Sequence, residues 1–365
     1  MRVLRILSIV ALIAVLAIVA GCERKVVNQV SNDNQQLTGC FACHGEESFG
    51  GAILEAQGEW QNSVHASGTN IDYTNRGGGN DCTRCHSQQG FIEFLNTGAV
   101  SAPYSTVSAI HCFTCHAPHE TGTLKLRTEA PFALLNGSVF DHGAGNLCAN
   151  CHHSRMSAAS IATPTDSISS RWGPHHGPQG DLFEGANGYQ YSNPTVAYES
   201  SPHRTLFTDG CIDCHKGNPL THDGYKIGGH SFNMVDEATG SDLSAGCARA
   251  SDCHPSAKSY NFKAKADYDG DGTISGVQTE FLGLLDTLKT LLIADGYLDS
   301  ASSLPTNKRV ATGAAGAVYN FLMLEDDRSE GVHNFKYEVA LIKNSIAYLR
   351  AHPEGSSALV AGRQD

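Results

Sequence analysis

An unbroken apolar run opens this chain, from Ile6 to Val19 apart from Ser8, preceded by Arg2 and Arg5. A positive start and a short apolar core predict a secretory signal; the alternative is a single anchoring helix, for which the run is short. Residues 23–38 (ERKVVNQVSNDNQQLT) are polar and aperiodic, which predicts a flexible tether. Ile53, Ala56, Trp60 and Val64 then recur at helical spacing, interrupted by Gly58, so His65 is expected at the end of a short helix. Far downstream, Val277, Phe281, Leu284, Leu285, Leu288, Leu291 and Leu292 mark an amphipathic helix. Val310 to Leu324, rich in Ala, marks a second. Phe335, Val339, Ile342, Ile346 and Leu349 mark a third, which should end before Pro353. Such stripes predict helices packed together as a structural cap.

Composition changes the picture between these ends. The 365 residues include 13 Cys and 18 His, together more than the 25 Lys plus Arg. Aromatics at 8%, charged residues at 17% and 38 Gly make a poor stock for an interior built from side chains alone. The chain is nevertheless too rich in Cys and too weakly charged to be disordered. A net charge of −12 argues against nucleic acid, whose phosphates need a basic surface. Something other than ordinary side chains is expected in the core.

The cysteines say what that is. Ten of them form five copies of one pattern, each ending in Cys-His: Cys40, Cys43, His44; Cys82, Cys85, His86; Cys112, Cys115, His116; Cys148, Cys151, His152; and Cys211, Cys214, His215. This is the c-type haem attachment signature. Two Cys three apart share one helical turn and can each add to a vinyl group of one porphyrin. The next residue, His, then falls over the iron as proximal ligand. A disulfide framework has no need of His after every second Cys. A structural zinc site pairs two CxxC units without that His, and a redox CxxC occurs singly. The remaining pair, Cys247 and Cys253, has five residues between them but again ends in His254. It reads as a sixth haem site with a bulge, or as a small disulfide-closed loop in an oxidising compartment.

Successive sites start 42, 30, 36, 63 and 36 residues apart, an irregular repeat rather than a solenoid. Such spacing leaves too little chain for independent haem domains, so the porphyrins should share walls and lie close together. Twelve His remain beyond the six proximal ones, twice the number needed for a second axial ligand, against four Met. Bis-His coordination is expected, with low potentials and no open position for substrate. The candidate distal ligands are His65, His119 beyond Pro118, His175 or His176 in the rigid Gly173-Pro-His-His-Gly177-Pro turn, His203 after Pro202, and His230 after Gly228-Gly229. His111 and His153 abut attachment sites, and His142, His222 and His352 are reserves; a plain surface or hydrogen-bonding role is the alternative for each.

Beyond His254 one further motif carries chemistry. Asp267, Asp269, Asp271 and Thr273, with Gly272 at the sharp turn, match the first part of a calcium loop. Gln278 stands where the bidentate Glu is expected, and Glu280 lies two residues later. The alternative is an acidic, Gly-rich turn without metal.

Two resemblances add to this reading. Val19-Ala20-Gly21-Cys22 resembles a bacterial lipoprotein signal, which implies that residues 1–21 are removed and Cys22 is acylated. Two or more acyl chains anchor stably. The whole chain resembles the multihaem c-type cytochromes, the broad group of tetrahaem cytochromes c, pentahaem nitrite reductase and octahaem reductases. The resemblance rests on the CxxCH sites, Trp60-Gln-Asn-Ser63-Val-His65-Ala66, Gly173-Pro-His175-His176-Gly177 and Gly331-Val-His333-Asn334. It implies a mostly α fold with long loops around stacked haems, and it raises His333 as a distal ligand. Two features of the group are missing: no site carries Lys in place of His, and no Tyr is marked for a haem crosslink.

The expected organisation is a signal (1–21), a tether (22–38), a hexahaem cytochrome c domain (39–255) and a C-terminal helical region with the calcium-like loop (256–365). The expected function is electron transfer by an exported, lipid-anchored protein in the periplasm or at the outer membrane. Its partners would be other cytochromes or quinol-linked complexes, met through salt-sensitive steering by the acidic surface. The alternatives are a reductase of a small nitrogen or sulfur oxyanion, with one open iron, and a self-associating subunit of a conductive filament. The sixth site has a direct test. Cys247→Ser should remove or destabilise one haem in a pyridine haemochrome count, and an unchanged count would leave Cys247 and Cys253 to another role.

Overall fold

The computed structural model describes residues 51–67, 80–101, 104, 106–162, 165–217, 226–244, 247, 254, 258–305 and 308–353. The described residues from Ala52 onward form one compact unit. It is mostly helical, with long irregular connections and little sheet. The helices are α1 (Gly51–Gln61), α2 (Val64–Ser67), α3 (Asn80–His86), α4 (Gln88–Thr97), α5 (Cys112–Cys115), α6 (Pro118–Thr121), α7 (Asn146–Ala149), α8 (Gln179–Glu184), α9 (His203–Leu206), α10 (Cys211–His215), α11 (Val277–Ala294), α12 (Thr312–Asp327) and α13 (Phe335–Ala351). Three antiparallel two-stranded ladders complete the fold. They pair β1 (Phe132–Ala133) with β2 (Val139–Phe140), β3 (Thr165–Ile168) with β6 (Lys308–Val310), and β4 (Val235–Asp236) with β5 (Ser241–Asp242).

The three apolar stripes near the C-terminus are the three long helices. On α11 the buried positions Phe281, Leu284, Leu288 and Leu292 lie on one face. Helix α12 is buried almost all round, as a central helix must be. Its small residues permit this: a Cβ on Gly313 would lie 2.2 Å from the Tyr348 ring, and one on Gly316 would lie 2.1 Å from Tyr189. These helices hold the main apolar core, which also takes in Ile161, Ile168 and Leu182 from earlier segments. Around the attachment motifs the side-chain core is much smaller, centred on Leu134, Phe140 and Phe183.

Three buried asparagines fasten the loops to the helices. Asn320 accepts from the Tyr189 amide (2.7 Å) and donates to the Tyr189 carbonyl (3.0 Å) and to Ser345. Asn344 accepts from the Thr195 and Val196 amides and donates to the Val196 carbonyl. Asn334 accepts from the Ser201 amide and donates to the Leu182 carbonyl. A loop has no ladder to satisfy its backbone, so buried side-chain amides supply the partners. No helix of the described residues is long and apolar enough to cross a membrane.

His142 belongs to this scaffold. It lies between the rings of Phe140 (4.7 Å) and Phe183 (5.0 Å), with Nε2 donating to Glu184 and Nδ1 to the Phe207 carbonyl (3.3 Å). The Glu184 hydrogen bond raises its pKa above 6.5. A raised folded-state value means the stabilisation is complete below the unfolded value and is lost as pH climbs through the folded one. The gap in thermal midpoint between the native chain and Glu184→Gln should therefore be widest at about pH 6 and close above it. Arg204 also donates to Glu184, so the pH trend is the readout. A gap of constant size from acid to alkaline pH would show that His142 is not the charge involved.

Candidate functional site

The attachment motifs lie on short helices joined by loops. Cys82, Cys85 and His86 lie on α3, and Cys211, Cys214 and His215 on α10. Cys112 and Cys115 bound α5, with His116 next, bridged to Leu126. Cys148 lies on α7, and Cys151 and His152 follow in the turn after it. Cys247 is half-buried, and the His254 ring stacks on Phe262 at 4.4 Å. Cys22, Cys40, Cys43, His44 and Cys253 lie outside the described residues. The nine described cysteines are all free of disulfides.

Four of the histidines that close the Cys-x-x-Cys-His motifs lie opposite a second histidine brought from a distant segment. The ring centroids are 6.4 Å apart for His86 and His175, 6.4 Å for His116 and His230, 6.2 Å for His152 and His65, and 6.2 Å for His215 and His333. One metal ligated by two imidazoles puts the centroids about 6 Å apart: two metal–nitrogen bonds of about 2 Å each, plus about 1 Å of ring on either side. The pairs fit that span. His203 lies close enough to His254 and His333 for their charges to lower its pKa, after the larger effect of burial.

The local chain explains how each second ring is presented. After α1 a break at Asn62 and Ser63 lets α2 carry His65 inward. His175 has φ 65 within the Gly173–Pro178 turn, a left-handed conformation that tilts its ring 43° from that of His176, 4.9 Å away. His176 instead donates from Nδ1 to Asp326 (2.8 Å). His230 needs Gly229 before it, because a Cβ there would lie 2.2 Å from the Glu59 carboxylate. His333 follows a tight turn in which Arg328, Glu330 and Gly331 all take positive φ.

Most of these rings also have Nδ1 engaged, which fixes their orientation and leaves Nε2 as the nitrogen that could ligate a metal. Nδ1 donates to the Lys125 carbonyl from His116, to Gln179 Oε1 from His152, to the Phe232 carbonyl from His215 and to the Val332 carbonyl from His203. His230 donates to Glu59 (3.2 Å) and His333 to Asp327 (2.7 Å). Burial, with help from neighbouring histidines, pushes His65 and His215 down to about 4. Both rings are therefore neutral at physiological pH, the state a metal ligand requires. Glu59, Gln179 and Asp327 are ring partners that sequence reading missed. Spacing carries no signal for the first two; Asp327 lies close to His333 in sequence, within an acidic run that marks nothing by itself.

The attachment motifs also crowd together. Cys148 is within hydrogen-bonding reach of Cys211, and Cys151 within reach of Cys85, while Cys115 lies near both Cys148 and Cys151. The fourth motif thus adjoins the second, third and fifth. Arg84 reinforces the junction by donating to the Asn150 carbonyl (3.0 Å) from beneath the Phe94 ring (3.5 Å).

Other candidates have different surroundings. His119 lies on α6 with its ring 5.4 Å from Phe113. His111 caps α5, accepting from the Phe113 amide. His153 donates to the Ala149 carbonyl, and His352 stacks on Tyr348 at 4.3 Å. In the acidic loop, Asp267, Asp269 and Glu280 place carboxylate oxygens within 4.8 Å of one another. Asp271 accepts from the Thr273 amide. Glu280, not Gln278, closes this loop: it is fully buried and accepts from the Tyr268, Asp269 and Ser275 amides, whereas Gln278 donates to the Ser329 carbonyl.

Comparison with known proteins gives the chemistry a context. No family model matches the chain. The C-type polyheme cytochrome OmcB of Geobacter sulfurreducens shares 23% identity over 308 residues, covering 73% of this chain and 37% of that protein. OmcC of the same organism, also a C-type polyheme cytochrome, shares 22% identity over 73% of this chain and 36% of its own length. The chain therefore spans little more than a third of these relatives. A solved undecaheme cytochrome from the S-layer of Carboxydothermus ferrireducens aligns with a TM-score of 0.44 and 18% identity over 80% of this chain and 40% of that one. Over most of its length, the chain is similar to c-type polyhaem cytochromes.

Proposed function

We propose that this protein is an exported multihaem c-type cytochrome that carries electrons. Haem c, when bound, supplies a one-electron ferric–ferrous couple at each site. The observation that carries the reading is the set of four proximal histidines, each facing a second imidazole across the span of one metal. In this reading His175, His230, His65 and His333 are the distal ligands for the sites ending in His86, His116, His152 and His215. His203 serves the site ending in His254. Cys22 carries the lipid anchor, and other cytochromes or quinol-linked proteins are the partners.

Closed coordination on both faces suits transfer and leaves those irons no position for substrate. The motif with Cys148, Cys151 and His152 would be the junction of the array, since its cysteines adjoin those of three other motifs. The adjacent histidines of the turn give the sharpest test. His175→Ala should convert one haem from low-spin to high-spin in the ferric EPR spectrum, while His176→Ala leaves every haem low-spin. The reverse outcome would overturn the ligand assignment.

We further propose that Asp267, Asp269, Asp271 and Thr273 hold calcium, with Glu280 bracing the loop. The support is the convergence of the Asp267, Asp269 and Glu280 carboxylates, oxygen donors of the kind that hard cations require, while Asp271 and Thr273 rest on the loop spacing alone. Calcium at about 1 mM, the range of weak extracellular sites, should raise the thermal midpoint of the native protein but not of Asp267→Asn. An equal response in both would leave the loop as a metal-free acidic turn.

A further inference from the structure

The second nitrogens of the facing histidines are not all bonded alike. At His116, His215 and His203 the Nδ1 partner is a backbone carbonyl, and at His152 it is the neutral amide of Gln179. His333 differs: its Nδ1 donates to the carboxylate of Asp327 at 2.7 Å, and that side chain is 0% exposed. His230 also meets a carboxylate, but at 3.2 Å, and Glu59 Oε2 is shared with the His230 backbone amide. The bond at His333 is therefore the shortest of these and ends on the most completely buried acceptor.

The surroundings of Asp327 preserve it as an acceptor. Ser329 donates to its Oδ2 from Oγ and from the amide at 3.3 Å. Glu338, fully buried below, is pushed up to about 8 by burial and by the charge of Asp327. Its Oε1 accepts from the Asn334 amide at 2.8 Å, while Oε2 has no partner. Asp327 thus accepts on both oxygens, from His333 on one and from Ser329 on the other.

A carboxylate hydrogen-bonded to the far nitrogen of a metal-bound imidazole fixes the ring and makes it a stronger donor to the metal. Stronger donation favours the higher charge on iron. We propose that Asp327 is a positioning and tuning residue, which aims His333 and holds the His215–His333 site more oxidised than sites whose Nδ1 partners are neutral. This rests on the axial-ligand reading above. The couple concerned is one electron on one iron, exchanged with a neighbouring haem. No bond forms or breaks, and the Nδ1 proton stays in the hydrogen bond between His333 and Asp327.

The test uses the full-length holoprotein with its haems counted. Asp327→Asn keeps the shape and an oxygen acceptor but removes the charge. It should leave haem content and spin state unchanged and shift one component of a spectroelectrochemical titration about tenfold toward the ferrous form, 59 mV for one electron. The EPR signal of one low-spin haem should shift with it. Asp327→Glu should restore both. Ser329→Ala strips a donor from the carboxylate while keeping its charge, and should move the same component the opposite way; it decides the matter if Asp327→Asn yields no holoprotein. Superimposable titrations for native, Asp327→Asn and Ser329→Ala proteins would overturn the tuning role, as would loss of the haem in Asp327→Asn with an unshifted titration in Ser329→Ala. His333→Ala separates the two levels. If every haem stays low-spin, the ligand assignment is wrong; if one becomes high-spin while Asp327→Asn titrates as the native protein does, only the tuning role is wrong.

Discussion

Imidazole rings paired about 6 Å apart, edge-on or tilted to one another, are the constraint on which the rest of this structure depends. Each such pair joins segments far apart in the sequence, such as α2 with the turn after α7, or α10 with the turn before α13. Two requirements follow. The rings must be neutral, which burial provides for His65 and His215. They must also be held in direction, which their Nδ1 hydrogen bonds provide.

The scaffold divides its labour accordingly. The region of the attachment motifs has a small side-chain core, and its chain is mostly loop and single-turn helix. Such segments cannot fold on their own contacts, because a one-turn helix is below the length at which helix formation is favourable. The three long helices supply a conventional apolar core instead. Asn320, Asn334 and Asn344 carry that rigidity outward by satisfying the backbone of residues 182–201. Small residues on α12 allow the close approach, since side chains at Gly313 and Gly316 would meet aromatic rings.

Charge placement has the same logic. Acids sit beside particular histidines: the partly buried Glu184 at His142, and the buried Glu59 at His230 and Asp327 at His333. A buried carboxylate is stabilised only by such partners. At His142 both ring nitrogens are committed to protein acceptors, so that ring belongs to the scaffold. At His230 and His333 only Nδ1 is committed, and the other nitrogen stays available toward a facing ring. Residues of one type thus have opposite roles, set by what lies on the second nitrogen.

What the sequence determined is local. A Cys-x-x-Cys-His motif spans five residues, so the grouping of two thiols with the next imidazole is written in one turn of chain. The three long helices were equally legible, because a buried face repeats every three or four residues: the stripes at Val277, Val310 and Phe335 became Val277–Ala294, Thr312–Asp327 and Phe335–Ala351. Which second histidine meets which first one was not legible. His65, His175, His230 and His333 have no spacing relation to their facing rings, and His175 and His176 are chemically equal in the sequence. A left-handed φ and the reach of Asp326 separate them. Gln278 held the expected position in the acidic loop, yet Glu280 closes it, because helix α11 starts at Val277 and places Glu280 under the loop amides. Periodicity records what a residue's near neighbours need; pairings across the fold depend on how loops and helices pack, and only the tertiary structure contains that.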